Sequence, residues 1–126
     1  MPPDDERATA LRAAADRMAA ERVELATRLA GMEDDMARLV EASADSNADD
    51  EHDPEGQTIA WERSQLASLT DALRDRLVEL DAAARRVEAG TWGVCEVCGE
   101  AIPAERLEAR PTARTCVRHA RPRRAE

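Results

Sequence analysis

Large apolar residues recur at a strict seven-residue step along two stretches of the chain. The first stretch carries Leu11, Met18, Leu25, Met32 and Leu39, with Ala14, Leu29 and Met36 in adjacent positions. The second carries Ile59, Leu66, Leu73, Leu80 and Val87, with Leu69, Leu77 and Ala84 beside them. A heptad step sustained over this length is the apolar seam of a helix that packs lengthwise against another helix. The punctuation agrees with two helices. Residues 4–44 contain no proline and only one glycine, Gly31, and Asp4 and Asp5 suit the positive end of a helix dipole. Asp53 is placed to cap the second helix, Pro54 fits its first position, and Gly90 ends it.

The two stripes have equal length and are mirror-spaced about residue 49, which would pair Leu39 with Ile59 and Leu11 with Val87. Neither helix alone could bury its stripe. The seams could serve dimerisation, but matched lengths and a short connection favour pairing within one chain, hence a monomer. The predicted fold is mainly α: a long antiparallel helical hairpin over residues 4–89, with helices of about 35 residues, hence on the order of 50 Å at 1.5 Å per residue. An acidic tip at about 44–55, a small head at 90–120 and a basic tail at 121–126 complete the expected organisation.

Composition supports long exposed helices over a thick globular core. Charged residues make up 36% of the 126, aromatics 2%, and there is no Phe or Tyr, so the bulk needed for a large core is missing. All 18 basic residues are Arg, against 27 acids. Residues 1–101 carry 24 acids and 11 Arg, whereas 102–126 carry 3 acids and 7 Arg. A nucleic-acid binder shows a dominant basic field over its working face; only the C-terminal part has one, so direct sequence-specific DNA binding is not expected. Its Arg106, Arg110, Arg114, Arg118, Arg121, Arg123 and Arg124 could meet phosphate or an acidic protein face, or simply be solvated. The N-terminal sequence lacks the pattern of a signal peptide, and no run approaches the length of a membrane span. A cytoplasmic protein is the expectation.

Residues 41–55 hold seven acids and no Arg. Such a run is ordinarily a solvated turn. At the far end of a hairpin it is also well placed to probe a partner.

One constellation carries metal chemistry. Cys95, Cys98, Cys116 and His119 form a C-x2-C-x17-C-x2-H pattern that uses every cysteine of the chain. Two pairs of donors at this spacing suit one tetrahedral, structural zinc ion, which makes the head at 90–120 a zinc-finger head. A redox dithiol at Cys95 and Cys98 would want a strand-helix-strand setting, and it leaves Cys116 and His119 without a purpose. Four protein ligands leave no open position for catalysis, and no other catalytic constellation is present, so enzymatic activity is not expected. Trp92, Val94, Ile102 and Leu107 are the predicted small core of the head.

These residues also resemble a known family. A glycine-aromatic approach to Cys-x2-Cys-Gly is followed by Ile102-Pro103 and by Arg106-Leu107-Glu108-Ala109-Arg110-Pro111-Thr112-Ala113 before the second ligand pair. Over residues 87–119 this is similar to the finger of the DksA/TraR family. The resemblance implies a bacterial transcription regulator that binds RNA polymerase, inserts its coiled coil through the secondary channel and acts through acidic residues at the tip. It also implies that Asp50 and Asp53 are the effector side chains.

Three departures from the family pattern stand in this sequence. His119 replaces the usual fourth cysteine. The tip pattern D-x-x-D-x-A is broken, since Asp50-Glu51-His52-Asp53-Pro54 is followed by Glu55; counting back from the finger brings His52, Glu55 and Gln57 to those positions instead. Where the better-known members bind guanosine tetraphosphate through basic side chains, this chain offers Asp71, Asp75 and Glu79 around Arg74 and Arg76. The alternative reading of the whole chain is a zinc-stabilised coiled-coil adaptor for protein assembly that does not enter polymerase.

Overall fold

The computed structural model describes residues 3–46 and 54–120. Two long helices, α1 (Pro3–Ser46) and α2 (Pro54–Ala89), pack as a hairpin, and a short helix α3 (Ala104–Ala109) and a 3-10 turn (Val117–His119) follow. The described residues contain no β-strand; an isolated antiparallel bridge joins Val94 and Ala101. Pro54 opens α2 as expected. Gly90 closes it at φ +79°, with its N–H donating to the Val87 carbonyl and that of Thr91 to Arg86. Asp53, the predicted cap, lies outside the described residues.

The chain divides into two compact units: Met1–Arg22 with Glu79–Glu126, and Val23–Val78. Both boundaries fall inside the long helices, so α1 and α2 contribute to each unit. In the first unit Ala14, Met18, Leu80 and Ala83 are buried, and Arg22 pairs with Asp81 across the two helices. In the second, Leu25 and Ile59 are buried, Arg74 bonds Glu33 at 2.8 Å, and Arg63 approaches Ser43 at 3.5 Å. Thr70 is buried at 4% exposure, which its hydroxyl tolerates by donating to the Leu66 carbonyl one turn earlier at 2.7 Å.

The heptad seam is recovered with two exceptions and a different register. Leu69 is 58% exposed and Val87 is 39% exposed, although both were assigned to the seam. Leu11 does not meet a buried Val87; it packs against the cysteine-lined core of the head. The pairs Arg22–Asp81, Glu33–Arg74 and Ser43–Arg63 are centred between residues 51 and 54, not at 49. The physical reason is that a repeat fixes which face is buried but leaves the slide between helices open.

Candidate metal centre

The head is built on a small core of Cys95, Ile102, Leu107 and Cys116, with Leu11, Trp92 and Ala113 packed against it. Ile102 and Leu107 are fully buried as expected, whereas Val94 is 41% exposed and lies outside this core. Its backbone is used instead, in the bridge to Ala101. Trp92 is half-buried, and its indole N–H donates to the Pro111 carbonyl at 2.8 Å. The indole thus spans the loop between the two donor pairs, satisfying its one polar atom while the ring packs.

The segment around Cys95 and Cys98 is a tight knuckle. The Gly99 N–H donates to the Cys95 carbonyl at 2.9 Å, the Cys95 N–H to the Glu100 carbonyl at 2.8 Å, and Gly99 takes φ +77°. Cys116 begins the 3-10 turn, whose closure, His119 N–H to Cys116 carbonyl at 3.0 Å, brings the imidazole back over the thiol. The four donor atoms of Cys95, Cys98, Cys116 and His119 all lie within 4.8 Å of one another. Cys98 Sγ is 3.9 Å from Cys116 Sγ, and His119 Nδ1 is 3.7 Å from Cys95 Sγ and 3.2 Å from Cys116 Sγ.

These separations can be tested against the ion. Thiolates about 2.3 Å from a tetrahedral zinc must stand about 3.8 Å apart, and a thiolate and an imidazole nitrogen slightly closer. The observed set fits one zinc ion, with Nδ1 as the imidazole donor. Bound there, zinc supplies cross-linking of two loop segments that lack a core large enough to hold themselves.

The surroundings favour the thiolate at Cys95 and Cys116, whereas the neighbouring thiols Cys95 and Cys116 help to push the Cys98 thiol up. Burial pushes the Cys95 thiol up, but backbone N–H groups of Cys98, Cys116 and Val97 outweigh this and bring it down to about 6. Cys116 is also held below its ordinary value, chiefly by His119, and the imidazole is raised reciprocally, first by Cys116 and then by Cys95.

Three arginines of the head are engaged within it, although Arg114 and Arg118 remain exposed. Arg106 Nε donates to the Thr115 carbonyl at 2.9 Å, Arg114 pairs with Glu96, and Arg118 bonds Glu100 at 2.9 Å. All three link the two halves of the finger. Arg121, Arg123 and Arg124 lie outside the described residues.

Sequence reasoning missed Arg7. Its guanidinium donates to the Ile102 carbonyl at 2.8 Å and the Gly93 carbonyl at 3.2 Å. A signal was available, because Arg7 stands one helical turn before Leu11 and therefore on the same face. Asp50 and Asp53, the predicted tip residues, lie outside the described residues.

Comparison with known proteins agrees with this geometry. Residues 90–118 match the prokaryotic dksA/traR C4-type zinc finger. The fold resembles the structure of transcription factor DksA2 from Pseudomonas aeruginosa, with a TM-score of 0.70 at 24% identity over 87% of this chain and 79% of that one. The protein YteA of Bacillus subtilis is 41% identical over 69 residues, 55% of this chain and 29% of YteA. The RNA polymerase-binding transcription factor DksA of Caulobacter vibrioides is 54% identical over 43 residues, 34% of this chain and 30% of that protein. The chain thus spans less than half the length of the curated relatives it matches. Residues 90–118 thus carry a dksA/traR-type zinc finger, and the chain as a whole is similar in fold to a DksA protein. Its finger departs from the C4 description in one respect, the fourth donor being His119.

Proposed function

We propose that this protein is a non-enzymatic regulator of transcription that acts by binding RNA polymerase. One structural zinc, held by Cys95, Cys98, Cys116 and His119, fastens the head. The hairpin enters the secondary channel, and Asp50 and Asp53 at its tip modulate initiation. The observation that supports this reading most directly is the 54% identity to a protein named as an RNA polymerase-binding transcription factor. The charge distribution is consistent with a protein partner. The unit Val23–Val78 carries 14 acids against 5 Arg, and the remainder of the chain is balanced at 13 of each. The protein works as a cytoplasmic monomer in this reading; no helix of the described residues is long and apolar enough to cross a membrane.

The deciding experiment measures binding of the purified protein to core RNA polymerase, alongside Asp50→Asn/Asp53→Asn. Binding by the wild type, with altered transcription that the double variant loses, is the expected result. Absence of wild-type binding overturns the proposal in favour of the adaptor. Binding with transcription unchanged by the double variant removes the tip assignment alone.

A further inference from the structure

The unit Val23–Val78 carries an apolar groove that the hairpin does not fill. It is an open groove of about 520 Å³ between the two helices, lined by Leu39, Trp61, Leu66 and Leu69 together with Asp35, Arg38 and Glu62. Trp61 is 64% exposed and Leu69 is 58% exposed. They stand eight residues apart on α2, two turns along one face. A solvent-facing helix surface ordinarily carries polar side chains, and a Trp and a Leu left in water beside a concavity mark an interaction site. Trp anchors of this kind dominate the energetics of protein interfaces.

The surroundings say what fits. The described side chains of this unit, in residues 23–44 and 54–78, are acidic in balance, with 9 acids against 5 Arg. The one arginine of the lining, Arg38, is paired with Asp35, and Glu62 adds a second carboxylate. The complementary occupant is a protein segment that presents an apolar side chain flanked by arginine or lysine. A second copy of the chain would bring an equally acidic unit to the same place. Nucleic acid would be repelled.

We propose that this groove docks a basic, apolar-tipped segment on the surface of RNA polymerase, which gives the hairpin a lateral anchor separate from its acidic tip. The proposal rests on the polymerase reading above, and its test separates the two. Affinity for core RNA polymerase is measured for the wild type, Trp61→Ala and Leu69→Glu, with zinc content and thermal unfolding as controls. Hydroxyl-radical footprinting of Trp61 follows in the free and bound protein. Both variants should bind about tenfold or more weakly while melting normally, and oxidation of Trp61 should fall in the complex.

If the wild type binds but both variants bind equally well and Trp61 stays reactive, the groove is not the anchor and the polymerase reading stands. If the wild type does not bind, both fall. Self-association of the wild type that Trp61→Ala abolishes would assign the groove to a second copy instead.

Discussion

Arg7 and Ile102, 95 positions apart, are joined by a 2.8 Å hydrogen bond from the guanidinium to the backbone carbonyl. The same guanidinium reaches the Gly93 carbonyl, which also accepts the Ile102 N–H at 2.8 Å. One side chain from the first turns of α1 thereby holds both segments that approach the knuckle. Together with Leu11, which packs against the same core, it ties the start of α1 to the head.

Replacing Arg7 with Ala should therefore destabilise the head. A charge-assisted hydrogen bond to a partly buried carbonyl contributes about 1.5–3 kcal/mol, discounted here because Arg7 is only half-buried. A loss of about 1–2 kcal/mol in urea unfolding is expected. Arg7→Lys should recover only part of it, since an ammonium lacks the planar fork that spans two acceptors. Full recovery by Lys would show that charge alone matters.

Glycines 90 and 93 offer a controlled comparison. Both have positive φ, +79° and +90°, so Ala at either position pays for a left-handed backbone, about 1–2 kcal/mol. At Gly90 the new methyl meets open space, but at Gly93 it would stand 3.2 Å from Leu11 Cδ2 and 3.6 Å from Leu107 Cδ1. Gly93→Ala should lower the melting temperature clearly more than Gly90→Ala. Equal effects would mean that the contact between Leu11 and the head is loose.

Much of this was legible in the sequence, and the misses share a cause. Heptad spacing located both helices, the proline and glycine punctuation located the described ends of α2, and cysteine spacing located the donor set. Each of these signals is local. The slide between helices, the exposure of Leu69 and the role of Arg7 depend on which distant groups meet, and a repeat of seven is equally satisfied by several offsets. Val94 was misplaced for a related reason. In a head this small the backbone bridge to Ala101 fixes the side chain outward, regardless of its hydrophobicity. The resemblance to DksA/TraR proteins supplied what spacing could not, the identity of the finger.

Leu80 and Leu69 put that distinction to measurement. Both belong to the apolar pattern of α2, yet Leu80 is 1% exposed and Leu69 is 58% exposed. Leu80→Ala leaves a cavity and should cost about 2–5 kcal/mol, whereas Leu69→Ala should fall within about 0.5 kcal/mol of the wild type in chemical denaturation. A comparable loss at both positions would restore Leu69 to the seam and close the groove beside Trp61.

The fourth donor decides what the head needs from its metal. With Cys95, Cys98 and Cys116 intact, His119→Cys supplies a thiolate in place of imidazole and satisfies tetrahedral zinc equally well in kind. Elemental analysis should find about one zinc per chain in the wild type and in this variant. His119→Ala leaves three donors and an open position, so zinc should be held weakly and lost to a chelator that the wild type resists. Because the head core is lined by Cys95 and Cys116 themselves, losing the ion exposes its apolar residues as well as its thiols. Metal removal should therefore abolish the near-ultraviolet signal of Trp92, whose indole is tied to Pro111 across the same loop. Zinc retained at full occupancy by His119→Ala would exclude the imidazole from the ligand set, and an unchanged Trp92 signal after complete zinc removal would show that the head folds without it.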